Sequence, residues 1–422
     1  MKGGIVMTIE NIQLENIAKV KKTLDTGDKG VIKNTIDNIV CILTTDKNIC
    51  DFYYYDEVKG MVVNTQTNRT WQDTDDSTLI WYLETYYELF DTKKYYAAFD
   101  NAMGIKRRNI LKEILESEPW DGKPRIDKFL NKILKTDDDD YHREVSRMIF
   151  YGGINRLYHP GCKFDYMPIL IGKQGNGKST LVKWLSLDTR YFSEVNTIDG
   201  KDGVEAIHGQ WICEMAELLA MVRTKEVEAM KSFITKQVDK YRPAYARRVV
   251  DRPRTSIIIG TTNTYEFLTD MTGNRRFLPV HMNLDLGELF LQEKFIKHYI
   301  LECWREALQL MRENKTYLTI PMEYMDVTIE KQNEVCIDDP KESEIYNYLL
   351  NKEIGYKVSN KELFVECFHG ISKNYNRTQA SQISIIMSSF PDWVRGTDRI
   401  YFKDYGRQRY WTKIDLSKKD KL

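Results

Sequence analysis

The 422-residue sequence carries no excess of charge: 62 lysines and arginines balance 62 aspartates and glutamates. A globally basic or acidic chain is excluded, so any charged binding surface has to be local. The seven cysteines (41, 50, 162, 213, 303, 336 and 367) are scattered, odd in number and without a C-x-x-C pair. Neither a disulfide framework nor a zinc site follows from them, and a reducing cytoplasm is the expected compartment. The six histidines form no H-E-x-x-H pair, which leaves metalloprotease-type chemistry without support. No apolar run approaches the roughly 20 residues of a membrane span, the first residues lack a signal-peptide h-region, and no membrane partner is expected. Internal repeats and long low-complexity stretches are also missing. What remains, 42% hydrophobic and 29% charged residues, describes a soluble globular protein with room for two or three domains.

One short stretch stands out. "PILIGKQGNGKST", Pro168 to Thr180, turns from an apolar run into a loop of three glycines and fits G-x-x-x-x-G-K-[ST]. Gly175 and Gly177 let the backbone fold around phosphates with its N–H groups inward, and a helix from about Ser179 adds its positive dipole end. Gly172, Gln174, Gly175, Asn176, Gly177, Lys178, Ser179 and Thr180 are therefore the candidate nucleotide-binding residues. Lys178 is expected to reach the β- and γ-phosphates of ATP, and Ser179 to ligate Mg²⁺. The context fits, since Met167 to Ile171 reads as a buried strand and Leu181 to Leu185 as an apolar helix face.

Around this loop the chain divides into three expected domains. Residues 1–136 form an N-terminal accessory domain of mixed helical and α+β character. There Asn11 to Lys22 reads as a helix, "NIVCIL" (Asn38 to Leu43) and "DFYYYDEVKGMVV" (Asp51 to Val63) as strands, and "LIWYLETYYELF" (Leu79 to Phe90) as a helix. "SEPWDGKPRIDKFL" (Ser117 to Leu130) reads as an ordered, largely non-helical connector. Asp137 to Asp140 mark a boundary, a solvated hinge rather than a metal site because adjacent carboxylates repel. Residues 141–325 show the alternating strand and helix signals of a three-layer α/β core. Residues 341–422 read as three helices and a two-stranded ribbon, the layout of a winged-helix-like module that contacts DNA or a partner.

A phosphate loop needs groups that hold Mg²⁺ and orient water. "QWICEMAEL" reads as a strand ending in Glu214, with Glu217 three residues on; one would hold Mg²⁺ and the other polarise the attacking water, unless both merely start a helix. "TSIIIGTTN" places Asn263 at a strand tip, where its amide contacts the γ-phosphate and the lytic water, or only forms a turn. "TDMTGNRRFLPV" sets Arg275 and Arg276 on a tight turn, as fingers toward a neighbouring subunit's γ-phosphate or as a surface ion-pair cluster. Lys178, Glu214, Glu217, Asn263, Arg275 and Arg276 are thus the candidate catalytic residues, with Ser179 and Glu214 as metal ligands. LSGGQ-like, N-K-x-D and D-E-A-D signatures, which mark other P-loop classes, do not occur.

In "GKQGNGKST", "WICEMAEL", "EAMKSFITKQVDKYRPAYARR", "GTTN" and "GNRRFLPV", with a weaker echo in "WDGKPRI", the chain resembles the virulence-associated protein E family. This is a superfamily 3-like branch of the AAA+ ATPases found in phages and bacterial mobile elements. The resemblance implies a ring-forming ATPase, a hexamer by expectation, acting on DNA during replication of such an element in a bacterial cytoplasm, with replication proteins as further partners. Some relatives carry a primase domain, whereas the N-terminal part here has no carboxylate-pair primase signature.

Between the acidic strand and "GTTN", residues 221–254 hold ten basic residues against four acidic ones. "KQVDKYRPAYARRVV" (Lys236 to Val250), with a central proline, reads as an exposed hairpin or loop. Superfamily 3 motors have a hairpin here that projects into the ring channel. On that resemblance Lys236, Lys240, Arg242, Arg247 and Arg248 would neutralise phosphates of single-stranded DNA, while Tyr241 or Tyr245 stacks on bases. A solvated charged face or a subunit interface are the alternatives. The C-terminal ribbon adds Arg395, Arg399, Lys403, Arg407, Arg409 and Lys413, interleaved with Tyr401, Tyr405, Tyr410 and Trp411, for duplex, origin-like DNA or for a protein. The expected function is an ATP-driven DNA helicase or replication initiator. A non-unwinding initiator or loader is the second reading, and a small-molecule P-loop kinase the third.

Overall fold

The computed structural model describes residues 12–198, 200–216, 224–241, 250–265, 274–285, 287–336 and 340–415. Its N-terminal part contains helices α1 (Leu14–Lys21) and α2 (Ile36–Thr45), strands β1 (Tyr53–Asp56), β2 (Met61–Asn64) and β3 (Arg69–Thr70), then α3 (Asp73–Tyr87), α4 (Thr92–Ile105), β4 (Arg107–Arg108) and α5 (Ile110–Glu116). The sheet order is β3-β2-β1-β4. Asn38 to Leu43, expected to be a strand, lies within α2. Thr35 caps that helix by accepting the Asn38 N–H, and Asn38, Ile39, Ile42 and Leu43 are buried at helical spacing. The cap and this apolar face outweigh the β-branched residues that suggested a strand. Asp51 to Val63 is a hairpin rather than one strand, with β1 and β2 paired from Tyr53↔Asn64 to Asp56↔Met61.

The connector is ordered by a buried carboxylate: Glu306 Oε2 accepts the backbone N–H groups of Arg125 and Ile126 at 2.6 and 3.1 Å. It leads to α6 (Phe129–Leu134) and α7 (Asp140–Tyr158). The aspartate run starts α7, where Asp139 caps the His142 N–H at 2.9 Å and Asp138 pairs with Arg143 at 2.9 Å. No cluster of three or more His, Cys, Asp or Glu side chains suited to a metal occurs among the described residues.

The following elements are β5 (Met167–Ile171), α8 (Lys178–Leu185), β6 (Phe192–Glu194), α9 (Gly200–Ile207), β7 (Ile212–Ala216), α10 (Thr224–Thr235), β8 (Val238–Tyr241), β9 (Val250–Pro253), β10 (Ile257–Thr262), β11 (Phe277–His281), α11 (Glu288–Leu291) and α12 (Glu293–Arg312). Strands β11-β5-β10-β7-β6 form one sheet, and β10 runs parallel to both β5 and β7. β5 and β10 are buried along their whole length, as strands covered on both faces must be. Trp211 and Trp304 meet beside the sheet with ring centroids 4.4 Å apart, and Trp211 Nε1 donates to Gly153 O on α7. A Cβ on Gly153 would stand 2.4 Å from the Trp304 ring, so only glycine allows this approach. β8 and β9 form a separate antiparallel hairpin.

The chain divides into two compact units, one of Met1–Glu217, Ser232–Asn263 and Val280–Met325, the other of Leu218–Lys231, Thr264–Pro279 and Asp326–Leu422. The second contains α13 (Met325–Glu334) from its second residue on, α14 (Pro340–Leu349), β12 (Lys357–Ser359), α15 (Asn360–Glu366), α16 (Arg377–Ser389), β13 (Trp393–Phe402) and β14 (Gly406–Lys413). Its sheet has three strands in the order β12-β14-β13, where the sequence suggested two. The extra strand is short and ends at Ser359, whose side chain forms a capping box with Glu362 of α15. Trp393 and Trp411 close the core beneath α14, α15 and α16. Among the described residues no helix is long and apolar enough to cross a membrane.

Candidate functional site

Parallel β5, β7 and β10 end at the same edge of the sheet, where α/β folds bind ligands. From the end of β5 the chain enters the glycine loop. Gly175 and Gly177 both have φ of 85°, in the left-handed region that favours glycine. At Gly177 a Cβ would also meet Leu289 Cδ2 at 2.6 Å. The loop therefore curls back beneath its own helix, and α8 starts at Lys178 with its N-terminal N–H groups at the loop.

Lys178 Nζ donates to Gly172 O at 2.6 Å, Lys173 O at 2.9 Å and Asn263 Oδ1 at 2.6 Å, which occupies all three ammonium hydrogens. Burial lowers its pKa from the ordinary lysine value, and the negative charge of Glu214 acts in the opposite sense. Ser179 Oγ donates to Glu214 Oε1 at 2.6 Å, and Thr261 Oγ1 to the same oxygen at 2.7 Å. Glu214 is 1% exposed, and its Oε2 has no hydrogen-bond partner among the described residues.

A cavity of about 330 Å³ is lined by Gln174, Gly175, Gly177, Lys178, Ser179 and Thr180, by Ala216, Thr261, Thr262 and Asn263 at the strand ends, and by Phe290; Glu214 stands behind Ser179 and Thr261. An unsatisfied buried carboxylate oxygen beside a serine hydroxyl is a donor set for a small hard cation. Loop, ammonium and oxygen pair thus fit a Mg²⁺-bound nucleoside triphosphate.

The site expected from the sequence converges only in part. Asn176 turns away, donating from Nδ2 to Leu284 O at 2.8 Å. Gly172 contributes its carbonyl to Lys178 and is not among the cavity-lining residues. Glu214 is in the middle of β7, not at its end, because the strand continues to Ala216; the carboxylate still reaches the loop by way of Ser179. Glu217 lies outside the described residues. Asn263 follows β10 directly, as expected. Arg275 and Arg276 occupy a helical turn just before β11; Arg275 is exposed, and Arg276 Nε is buried without a partner among the described residues.

The β8–β9 hairpin stands where the basic segment was read. Lys236 precedes it and pairs with Asp239 at 3.1 Å, Lys240 on β8 pairs with Asp251 at 3.7 Å, and Tyr241 ends β8. Arg242, Tyr245, Arg247 and Arg248 lie outside the described residues. The hairpin base is held by a buried pair, Arg254 Nε to Asp239 Oδ2 at 2.6 Å.

Four cavity-lining residues, Ala216, Thr261, Thr262 and Phe290, were not among the candidates read from the sequence. Thr261 had a signal, a hydroxyl at the end of a β-branched strand two residues before Asn263. Phe290 had none, being one apolar residue more than a hundred positions from the loop.

Fold and site together define a mixed α/β protein whose parallel sheet carries a glycine-rich loop at its C-terminal edge. The sequence model of the virulence-associated protein E-like domain matches residues 115–335, more than half of the chain, and the protein belongs to that family. Among solved structures, the A form of the NrS-1 C-terminal region (305–718) is 14% identical with a TM-score of 0.48, covering 86% of this chain and 96% of that one. Two further apo structures of the same region are each 12% identical, with TM-scores of 0.44 and 0.46 and the same coverage. At these values the likeness is distant. No curated protein matches the chain.

Proposed function

We propose that the protein is an ATP-dependent DNA helicase or replication initiator of a phage or mobile genetic element, working as a ring oligomer in the bacterial cytoplasm. The observation that carries this reading is the set of side-chain hydrogen bonds that joins Lys178 and Ser179 of α8 to Asn263, and to Glu214 of β7 with Thr261 of β10, beside one cavity. Bound there, Mg²⁺ and ATP supply a cation that neutralises phosphate charge and a bond whose hydrolysis releases free energy. Lys178 would hold the β- and γ-phosphates, Ser179 and Glu214 the metal, and Asn263 the attacking water. Glu217 is the candidate to polarise that water, and Arg275 and Arg276 would act on a neighbouring subunit's site.

In this reading residues 141–325 are an AAA+ core of the superfamily 3 type, and 1–136 an accessory domain. Residues 341–422 are a winged-helix-like domain, supported by the order of α14, β12, α15, α16, β13 and β14. The β8–β9 hairpin would grip single-stranded DNA. The ribbon is suited to duplex phosphates: Arg399 stands opposite Arg409 and Tyr401 opposite Arg407. Among the described residues none of these arginines has an ion-pair partner. Like charges directly opposite are destabilising, and a polyanion would relieve them.

The test is ATP turnover by the full chain with and without single-stranded DNA, alongside strand displacement on a fork. Stimulation with displacement supports the motor. Turnover indifferent to DNA and no displacement would reject it.

A further inference from the structure

The loop, the ammonium and the hydroxyls account for the phosphate end of the cavity, and one lining residue has no part in that chemistry. Phe290 is the only aromatic among the described lining residues, and it is 49% exposed. We propose that its ring is the platform on which the nucleobase stacks, a reading that rests on the nucleotide site proposed above.

Three contacts fix the ring where a base would need it. Its neighbour Leu289 is 2% exposed and packs against Gly177, which ties α11 to the glycine loop. Glu288 pairs with Lys135 at 2.6 Å and holds the start of the same helix. Trp184, on α8, meets Phe290 edge to face, with centroids 6.3 Å apart and planes at 81°. The ring is thus supported from α8 and from the loop while half of its surface remains open.

The chemistry suits a base. The hydrogen-bonding side chains that converge at the loop, Lys178, Ser179 and Asn263, are engaged with one another or with Glu214 and the loop carbonyls. An exposed phenyl face beside them offers what a flat heteroaromatic ring gains from, dispersion and removal of apolar surface from water. A half-open aromatic on a four-residue helix contributes little to the core, so its exposure calls for a ligand more than for packing.

Equilibrium binding of ATP and of inorganic tripolyphosphate to the full-length protein, its Phe290→Ala variant and its Phe290→Trp variant tests the assignment. Base stacking is measured at a level that corresponds to about a 5- to 150-fold loss on removal of the aromatic. Phe290→Ala is expected to weaken ATP by that range and leave tripolyphosphate unchanged, and Phe290→Trp to retain ATP. Unchanged ATP affinity in Phe290→Ala would overturn the platform. So would a parallel loss of tripolyphosphate, which would show that the ring only props up the loop. A parent protein that binds neither probe removes the nucleotide site and the platform with it. Parent binding of both with no effect of Phe290 removes the platform alone.

Discussion

Lys178 Nζ lies 2.6 Å from Asn263 Oδ1, joining the glycine loop to the residue that follows β10. The two act as one unit, since the amide oxygen and two loop carbonyls share the ammonium. Lys178→Ala is expected to abolish ATP turnover with the fold intact, because the charge that offsets the phosphates is lost. In a double-mutant cycle with Asn263→Ala, thermal stability should deviate from additivity by about 0.5–3 kcal/mol. Parent-level turnover in Lys178→Ala refutes the nucleotide assignment, and strict additivity refutes the coupling.

Glu214→Gln keeps an oxygen for the Ser179 and Thr261 hydroxyls but removes the charge. It should fold and lose Mg²⁺-dependent hydrolysis. Thr261→Val deletes one of the two donors and is expected to cost about 0.5–1.5 kcal/mol in denaturant unfolding, with a smaller loss of turnover. If Glu214→Gln hydrolyses ATP normally, the carboxylate is structural.

Arg275→Ala and Arg276→Ala are predicted to retain ATP binding while losing hydrolysis, as a finger acts on the transition state more than on the ground state. Mixing either with Lys178→Ala should restore part of the activity if sites are shared between subunits. Normal hydrolysis by a strictly monomeric parent rules the trans role out.

Replacing Lys240 and Arg242 with alanine should flatten the salt dependence of single-strand binding by about 0.7 per lost contact. Basal ATPase should survive and fork unwinding fail. The informative counter-result is loss of basal ATPase with intact DNA binding, which would move these residues to a subunit interface.

Burial raises the pKa of Asp239, but Arg254 first and then Lys236 more than offset it, so the carboxyl stays below the ordinary aspartate value. A depressed carboxylate contributes stability that is fully present above the unfolded value of about 3.9 and is lost as pH falls through the folded value. Melting curves from pH 7 downward should show that loss in the parent. Asp239→Asn should lack it and be about 3–5 kcal/mol less stable at neutral pH, because Arg254 is left buried and unpaired. Identical pH profiles would show that the pair carries no linkage.

The glycine loop, β5, β10 and the position of Asn263 were legible because each is written in consecutive residues whose local chemistry decides their form. The helix at Asn38 to Leu43 was not, since Ile, Val and Ile favour strands and only the Thr35 cap and the burial of one face reverse that preference. Glu214 was found by its place near a strand end, yet its two hydroxyl partners could not be. Thr261 reaches it only because β10 lies beside β7, a pairing that no spacing records. β12 was too short to announce itself, and Phe290 takes on meaning only from the cavity it borders.

The buried Arg254 also stands where the hairpin passes into the sheet. β9 passes through Arg254 and two further residues straight into β10, and this joint is pinned on several sides. Arg254 N donates to Gln237 O, Gly161 N to Arg254 O and Ile257 N to Trp211 O, while the guanidinium grips Asp239. The joint between β9 and β10 is thus tied by backbone hydrogen bonds and a buried ion pair to its neighbours on either side. From there β10 leads to Thr261 and Asn263, the side chains that touch Glu214 and Lys178. On the function proposed above, displacement of the hairpin and rearrangement around the glycine loop would be the two ends of one continuous segment of chain.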